Sequence, residues 1–299
     1  LYLSRFNPPI HVPSLSIISI VLYYIIFLYF LVCLTRKKKR YSGFYLFFYI
    51  TILISIRIVN PYYTVTIIDV GQGDSILIEL PQNKGNILVD SYGSNTSYLK
   101  SIGIRKLDYV ILTHFDQDHI GALGNTMEEF QVGTILYSVY EDVKKIKNAT
   151  VPLIPIQSGD EIQWKGINLK VLGPIYSYSD SNSNSVVLSF NIKGYTFLLT
   201  GDMTAKEEAD LIQKYGEALK ADVLKVAHHG SNSSSSSDFL NSVSPKYAVI
   251  SVGKNNTYSL PSVDVCERLE KISKVYMTKD NGNVCFKIGN TLKVEAYRQ

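Results

Sequence analysis

Beyond Pro61 the chain breaks into short apolar or alternating segments separated by Gly, Pro, Asn and Asp, a pattern that predicts strands. The spacing places them over residues 64–70, 75–80, 86–90, 109–112, 186–192, 195–200, 223–226, 247–252 and 284–288. Lys193 and Gly194 form the expected turn of a hairpin between two of them. A helical period predicts helices over 205–215, 118–130 and 263–272, the first opened by a capping box of Thr204 and Glu207. Strand pairs alternating with single helices predict an α/β domain in which helices cover sheets. The run SNSSSSSD, residues 231–238, reads as a flexible polar loop.

Before Pro61 the pattern differs. Residues 14–34 are uncharged and apolar over a length that crosses a bilayer, and residues 44–58 form a second, shorter run ending near Arg57. The cluster RKKKR, residues 36–40, separates them, which predicts a transmembrane helical hairpin over 1–60 and a separate domain over 61–299. The positive-inside rule keeps this loop cytoplasmic, so the expectation is a multi-pass cell-membrane protein whose C-terminal domain is extracytoplasmic. The first residue is Leu, which reads as a piece of a longer product.

Charge follows the same division. Residues 1–60 carry seven basic and no acidic side chains, leaving 23 basic against 26 acidic from Pro61 onward. Net charge therefore gives no independent argument for a nucleic-acid partner. Three isolated cysteines exclude a disulfide framework.

The chemistry concentrates at strand ends. ILTHFDQDHIGAL puts His114, Asp116, Asp118 and His119 directly after a predicted strand; FLLTGD ends at Asp202, and VLKVAHHG at His228 and His229. One such residue is an ordinary cap or core group, but three clusters in one domain predict a polynuclear metal site. Asp90, ending ILVD, is expected to orient a ligand histidine. The GQGD turn, with Gln72 and Asp74 after Asp69, presents backbone N–H groups to a phosphate or simply reverses the chain. Strand parity sets Lys225 and His229 together and His228 apart, so at most one set faces the metals.

H-x-D-x-D-H resembles the H-x-H-x-D-H motif of metallo-β-lactamase-fold hydrolases, with Asp116 where most members have a second histidine. DVGQGDS, ILVDSYG, THFDQDHIGAL, NSNSVVL, FLLTGD, LKVAHHGSNSSSS and ISVGKNN, in this order, resemble the C-terminal domain of ComEC-type competence DNA-uptake channel proteins, which also precede it with transmembrane helices. The resemblance implies a four-layer αββα sandwich and two divalent ions, Mn2+ or Zn2+. It implies that His114 and Asp116 hold one ion, that Asp118, His119 and His228 hold the other, and that Asp202 bridges. Asn182 or Asn184 stands near the position of an absent family histidine, and Leu260 replaces a second family histidine before Pro261. Ser231, Lys225, Asp69, Gln72, Asp74, Asp90 and Asn182 are candidates for the surrounding shell or for substrate contact. Asp118, together with His229 as a proton donor, is the candidate catalytic pair.

Two divalent ions would activate water against a phosphodiester. The leading expectation is a membrane-anchored hydrolase, a nuclease acting on DNA during uptake, with other channel components of the competence machinery as partners. The alternatives are a hydrolase of a small or cell-wall-linked phosphodiester and a non-catalytic binding or gating module.

Overall fold

The computed structural model describes residues 60–297 and eleven positions between 21 and 50. Apart from those scattered positions, the expected hairpin over residues 14–34 and 44–58 lies outside the described residues. No helix among the described residues is long and apolar enough to cross a membrane.

Two sheets face each other. The first, in spatial order, is β15 (Leu292–Tyr297), β14 (Asn283–Ile288), β1 (Tyr63–Ile67), β2 (Ile76–Glu79), β3 (Asn86–Val89), β4 (Lys106–Leu112), β5 (Gln131–Ser138) and β6 (Leu153–Ile156). The second is β13 (Lys274–Met277), β12 (Tyr247–Ile250), β11 (Val223–Lys225), β10 (Tyr195–Leu199), β9 (Val187–Ile192), β8 (Ile167–Gly173) and β7 (Glu161–Trp164). β3 through β6 run parallel, as do β10 through β13, while the remaining pairs are antiparallel.

Period-two alternation explains the layers. Ile87 and Val89 of β3 and Ile111 of β4 enter the core between the sheets, whereas Leu88, Val110 and Leu112 point to the outer face. Phe197 of β10 meets Phe286 of β14 edge-on at 5.8 Å across the inter-sheet core. Outside the first sheet, Tyr98 and Leu99 of α1 (Asn95–Ser101) and Leu123 of α3 (Leu123–Glu129) close a second core, with the short α2 (Gln117–Ile120) between them in sequence. Outside the second sheet, Leu211 of α4 (Ala205–Tyr215), Phe239 and Leu240 of α5 (Ser237–Val243) and Leu269 of α6 (Val263–Glu270) close a third. Each fully buried aliphatic side chain contributes about 1.5–3 kcal/mol. The result is the expected αββα sandwich.

All nine predicted strands are present, and Lys193 and Gly194 turn between β9 and β10 with positive φ of 51° and 90°. β5, β6, β7, β8, β13 and β15 lie outside the predicted segments. The helix expected over 118–130 is two helices. Ser91 accepts the Ala122 amide and donates its own N–H to His119 O, and this stitch to the neighbouring loop interrupts the helical ladder at Gly121 and Ala122.

The capping box does not form. Thr204 Oγ1 pairs with Ser183 Oγ at 2.6 Å, and Glu207 is fully buried with neither carboxylate oxygen hydrogen-bonded. The serine run is not a free loop either. The amides of Ser235 and Ser236 donate to the two oxygens of buried Glu208, Ser236 Oγ accepts the Phe239 amide, and α5 begins there.

Candidate metal centre

β1, β3, β4, β10 and β11 all direct their C-terminal ends to one end of the sandwich, and the loops that follow them meet there. His114 comes two residues after β4, and Asp116 is the residue before α2, which carries Asp118 and His119. Asp202 follows β10 through Gly201, whose φ is 50°; an added Cβ would meet Ser185 and Thr113 at 2.9–3.0 Å. After β11, His228 and His229 are both left-handed, with φ of 50° and 52°. Such residues persist only where their surroundings hold them. Here Ser251 O lies 2.9 Å from His229 Nδ1, and Gly230 O accepts the Ser262 amide.

One ligand atom from each of Asp118, His119, Asp202 and His229 lies within 4.8 Å of the others. Asp202 Oδ2 is 3.3 Å from His119 Nε2 and 3.4 Å from His229 Nε2, and His229 Nε2 is 3.2 Å from Asp118 Oδ2. At metal–ligand bonds of about 2.1 Å, one divalent ion's shell has this width. The buried atoms His114 Nε2, His119 Nε2 and Asp202 Oδ1 have no hydrogen-bond partner. Buried polar atoms left unsatisfied cost free energy, and bound divalent cations would satisfy them. The donor set therefore fits a metal.

His114 and Asp116 are also adjacent, with Nε2 3.7 Å from Oδ2, and the His114 ring lies 4.1 Å from that of His119. Asp116 is 45% exposed in its side chain, so this side of the cluster opens to solvent.

Behind the cluster lies a hydrogen-bonded support. Asp90, left-handed at φ 58°, accepts Thr113 N–H and Thr113 Oγ1 at 2.8 Å each, and its Oδ2 lies 2.7 Å from His119 Nδ1. His114 Nδ1 lies 3.1 Å from Thr113 Oγ1 and 3.3 Å from Ser185 Oγ, and Ser185 Oγ also accepts the Asp202 amide. Lys225, 1% exposed, pairs with Asp74, donates to Gly201 O and lies 3.7 Å from Asp202 Oδ1. Asp74, Asp90 and His119 form a second compact group, in which Lys225 pairs with Asp74 while Asp90 bonds Thr113 and His119.

The charges shape one another. Burial alone would lower the His119 pKa, but Asp202 and Asp90 outweigh it and hold the imidazole well above its usual range. His114 is pushed well below that range by burial and by the His119 charge. Burial raises Asp202, yet His229, His119 and Lys225 outweigh it and keep this carboxylate ionised far below normal.

Several expected residues lie elsewhere. His228 is half-buried with Nδ1 3.0 Å from Ser233 Oγ; it is His229, expected as a proton donor, that completes the four-residue group. The two consecutive left-handed residues turn the second imidazole inward. Ser231 bonds Ser233. Asp69 is exposed, and Gln72 Oε1 accepts the Gly253 amide, tying the GQGD turn to the loop after β12. Asn182 begins a short 3-10 turn, and the Asn184 side chain binds the backbone of Tyr178 and Asp180. Thr113 and Ser185 were not foreseen; each sits beside a quoted motif, but a hydroxyl there carries no distinguishing signal.

The ComE operon protein 3 of Bacillus subtilis is 33% identical over 257 residues, covering 76% of this chain and 33% of that protein. The competence protein ComA of Neisseria gonorrhoeae is 34% identical, covering 75% and 32%. The chain thus spans about a third of the length of these curated relatives. The metallo-beta-lactamase fold protein YhfI from Bacillus subtilis superposes with a TM-score of 0.53 at 13% identity, covering 76% of this chain and all of that one, a likeness of fold alone. The metallo-beta-lactamase superfamily profile matches residues 68–254. Since that match runs from the end of β1 past β12 and takes in every side chain of the cluster, the chain belongs to the metallo-beta-lactamase superfamily.

Proposed function

We propose that the chain is a metal-dependent phosphodiesterase that cleaves DNA during competence-type uptake, anchored in the cell membrane with residues 61–299 extracytoplasmic. The observation that carries the hydrolytic reading is the set of buried, unpartnered nitrogen and oxygen atoms of His114, His119 and Asp202 beside half-exposed Asp118. The DNA reading draws on the competence proteins that the chain resembles.

Asp118, His119, Asp202 and His229 would hold one divalent ion, and His114 and Asp116, with Asp202 shared, a second. Asp74, Asp90, Asp116, Asp118 and Asp202 bring five carboxylates against the one ammonium of Lys225, an imbalance that two divalent cations offset. Three carboxylates and three imidazoles make a hard donor set, suited to Mn2+ as well as Zn2+. When bound, the ions would supply an activated water and neutralise charge on the attacked phosphorus group. The chain's own residues orient and exclude: Asp90 and Thr113 fix the imidazoles, Lys225 holds the inner carboxylates, and Asp116 and Asp118 border the open side where substrate arrives.

The test is cleavage of end-labelled single- and double-stranded DNA by the full chain with added manganese, beside a chromogenic phosphodiester. Metal-dependent DNA cleavage is expected. Turnover of the small ester alone would move the assignment to a small phosphodiester, and a fully metallated chain that cleaves nothing would make it a binding module. For topology, Asn255→Cys in a chain lacking its native cysteines should react with an impermeant reagent in intact cells. Labelling only after permeabilisation would reverse the orientation.

A further inference from the structure

The strands also fix where the cluster lies relative to the incoming chain. Asn60 O accepts the Gln82 amide beside the β2–β3 turn, and β1 begins at Tyr63. From this base β1, β3 and β4 run toward the cluster. The seven residues of β4 alone span about 20 Å. Metal centre and chain attachment therefore occupy opposite ends of the sandwich.

The base is basic. Lys84, Arg105, Lys193, Lys246 and Lys274 stand at strand starts or turns there, all exposed and none in an ion pair among the described residues. The two sheets present them on one surface, for Lys193 Nζ lies 5.6 Å from the Tyr63 ring and Lys165 Nζ donates to Lys84 O at 2.7 Å. Of the acidic groups at this end, exposed Glu128 and Glu270, near the C-terminal ends of α3 and α6, are in no ion pair among the described residues, and the five cations outnumber them; the others are engaged. Asp108 pairs with Lys165 at 2.6 Å, Glu217 with Lys220 at 2.5 Å, and Asp222 accepts the Thr196 amide. Tyr62 and Ile272, each 41% exposed, add apolar surface at the same end.

We propose that this base docks on anionic phospholipid headgroups, so that the metal centre opens away from the bilayer. The inference rests on the membrane anchoring proposed above, because the chain leaves the base toward its apolar runs at 44–58 and 14–34. Tyrosines and lysines are the side chains that settle at a membrane interface. Each lysine near an anionic surface strengthens association about fivefold. A nucleic acid is the less favoured occupant: the cations ring the end farthest from the cluster, so a strand lying on them is about 20 Å from the groups that would cut it.

The chain's single tryptophan, Trp164, closes β7 at this base and serves as a native probe. The full chain in nanodiscs bearing dansyl-labelled headgroups should show more energy transfer from Trp164 when phosphatidylglycerol is present than in phosphatidylcholine alone. High salt should remove the excess, since it screens charge beyond roughly 3 Å at 1 M. Lys84→Glu/Lys193→Glu/Lys246→Glu should lose it while keeping turnover of the small ester, which reports the fold. Equal transfer in both lipids, or an unaltered triple variant, would overturn the docking. Loss of transfer on adding an oligonucleotide would assign the face to nucleic acid instead. If the chain does not insert, the anchoring reading fails, and flotation with vesicles of the same lipids decides the docking: flotation with anionic vesicles alone upholds it, and flotation with neither ends it.

Discussion

Asp90 Oδ2 lies 2.7 Å from Nδ1 of His119, and the same oxygen accepts the Thr113 hydroxyl. A carboxylate behind an imidazole fixes the ring and leaves Nε2 directed at the ion. Asp90→Asn keeps the shape but weakens that hold. We expect metal affinity to fall about 10- to 100-fold. Chelator competition measures it, and unchanged affinity would remove Asp90 from the support.

The adjacent histidines separate by role. His229→Ala should reduce bound metal by one ion's share, because its Nε2 lies within 3.4 Å of both Asp118 and Asp202. His228→Ala should leave metal content unaltered, its Nδ1 being engaged with Ser233. Elemental analysis of the two purified variants decides. The reverse result would restore His228 as the ligand.

Asp202 links the two halves of the cluster, so its loss should not add to the loss of Asp118. Asp202→Asn, Asp118→Asn and the double variant should each reduce phosphodiester cleavage by a similar factor, about a hundredfold or more. Additive losses in the double variant would mean that the two carboxylates act independently.

Glu207 supplies a pH dependence away from the cluster. Burial, then the charges of Asp180, Asp210 and Glu208, push its carboxyl well above the usual range. The unfolded chain therefore ionises this group at lower pH than the folded one, and stability declines as pH rises from the ordinary glutamate range toward the raised value. Glu207→Gln should raise Tm at pH 8 and leave it nearly unchanged at pH 4. A gain of equal size at both pH values would show that ionisation is not the cause.

The strands most legible in the sequence are those buried on both faces. The ends of β3 and β4, residues 87–89 and 109–112, read as unbroken apolar runs because Leu88 and Val110 pack under helices while Ile87 and Ile111 pack between the sheets. β7, with the polar positions Glu161 and Gln163, and β15 are edge strands without such a run. Within the site, Asp90 was legible as a support because it ends a strand in a sequence of that kind. The identity of the inward histidine was not, because β11 stops at Lys225 and the two left-handed residues that aim His229 follow no strand or helix period.

Glu208 grips the serine run through backbone amides rather than hydroxyls. Any residue except proline offers that amide, so a run that looks like careless repetition can drift in composition while its path over α4 is kept. Three positions are exempt from that freedom: 234, whose buried hydroxyl donates to Ala227 O, 235, where φ of 58° favours glycine or asparagine over a branched side chain, and 236, whose hydroxyl caps α5. Substitution at 234 would therefore loosen the turn that carries His229, whereas the exposed position 237 is open to change.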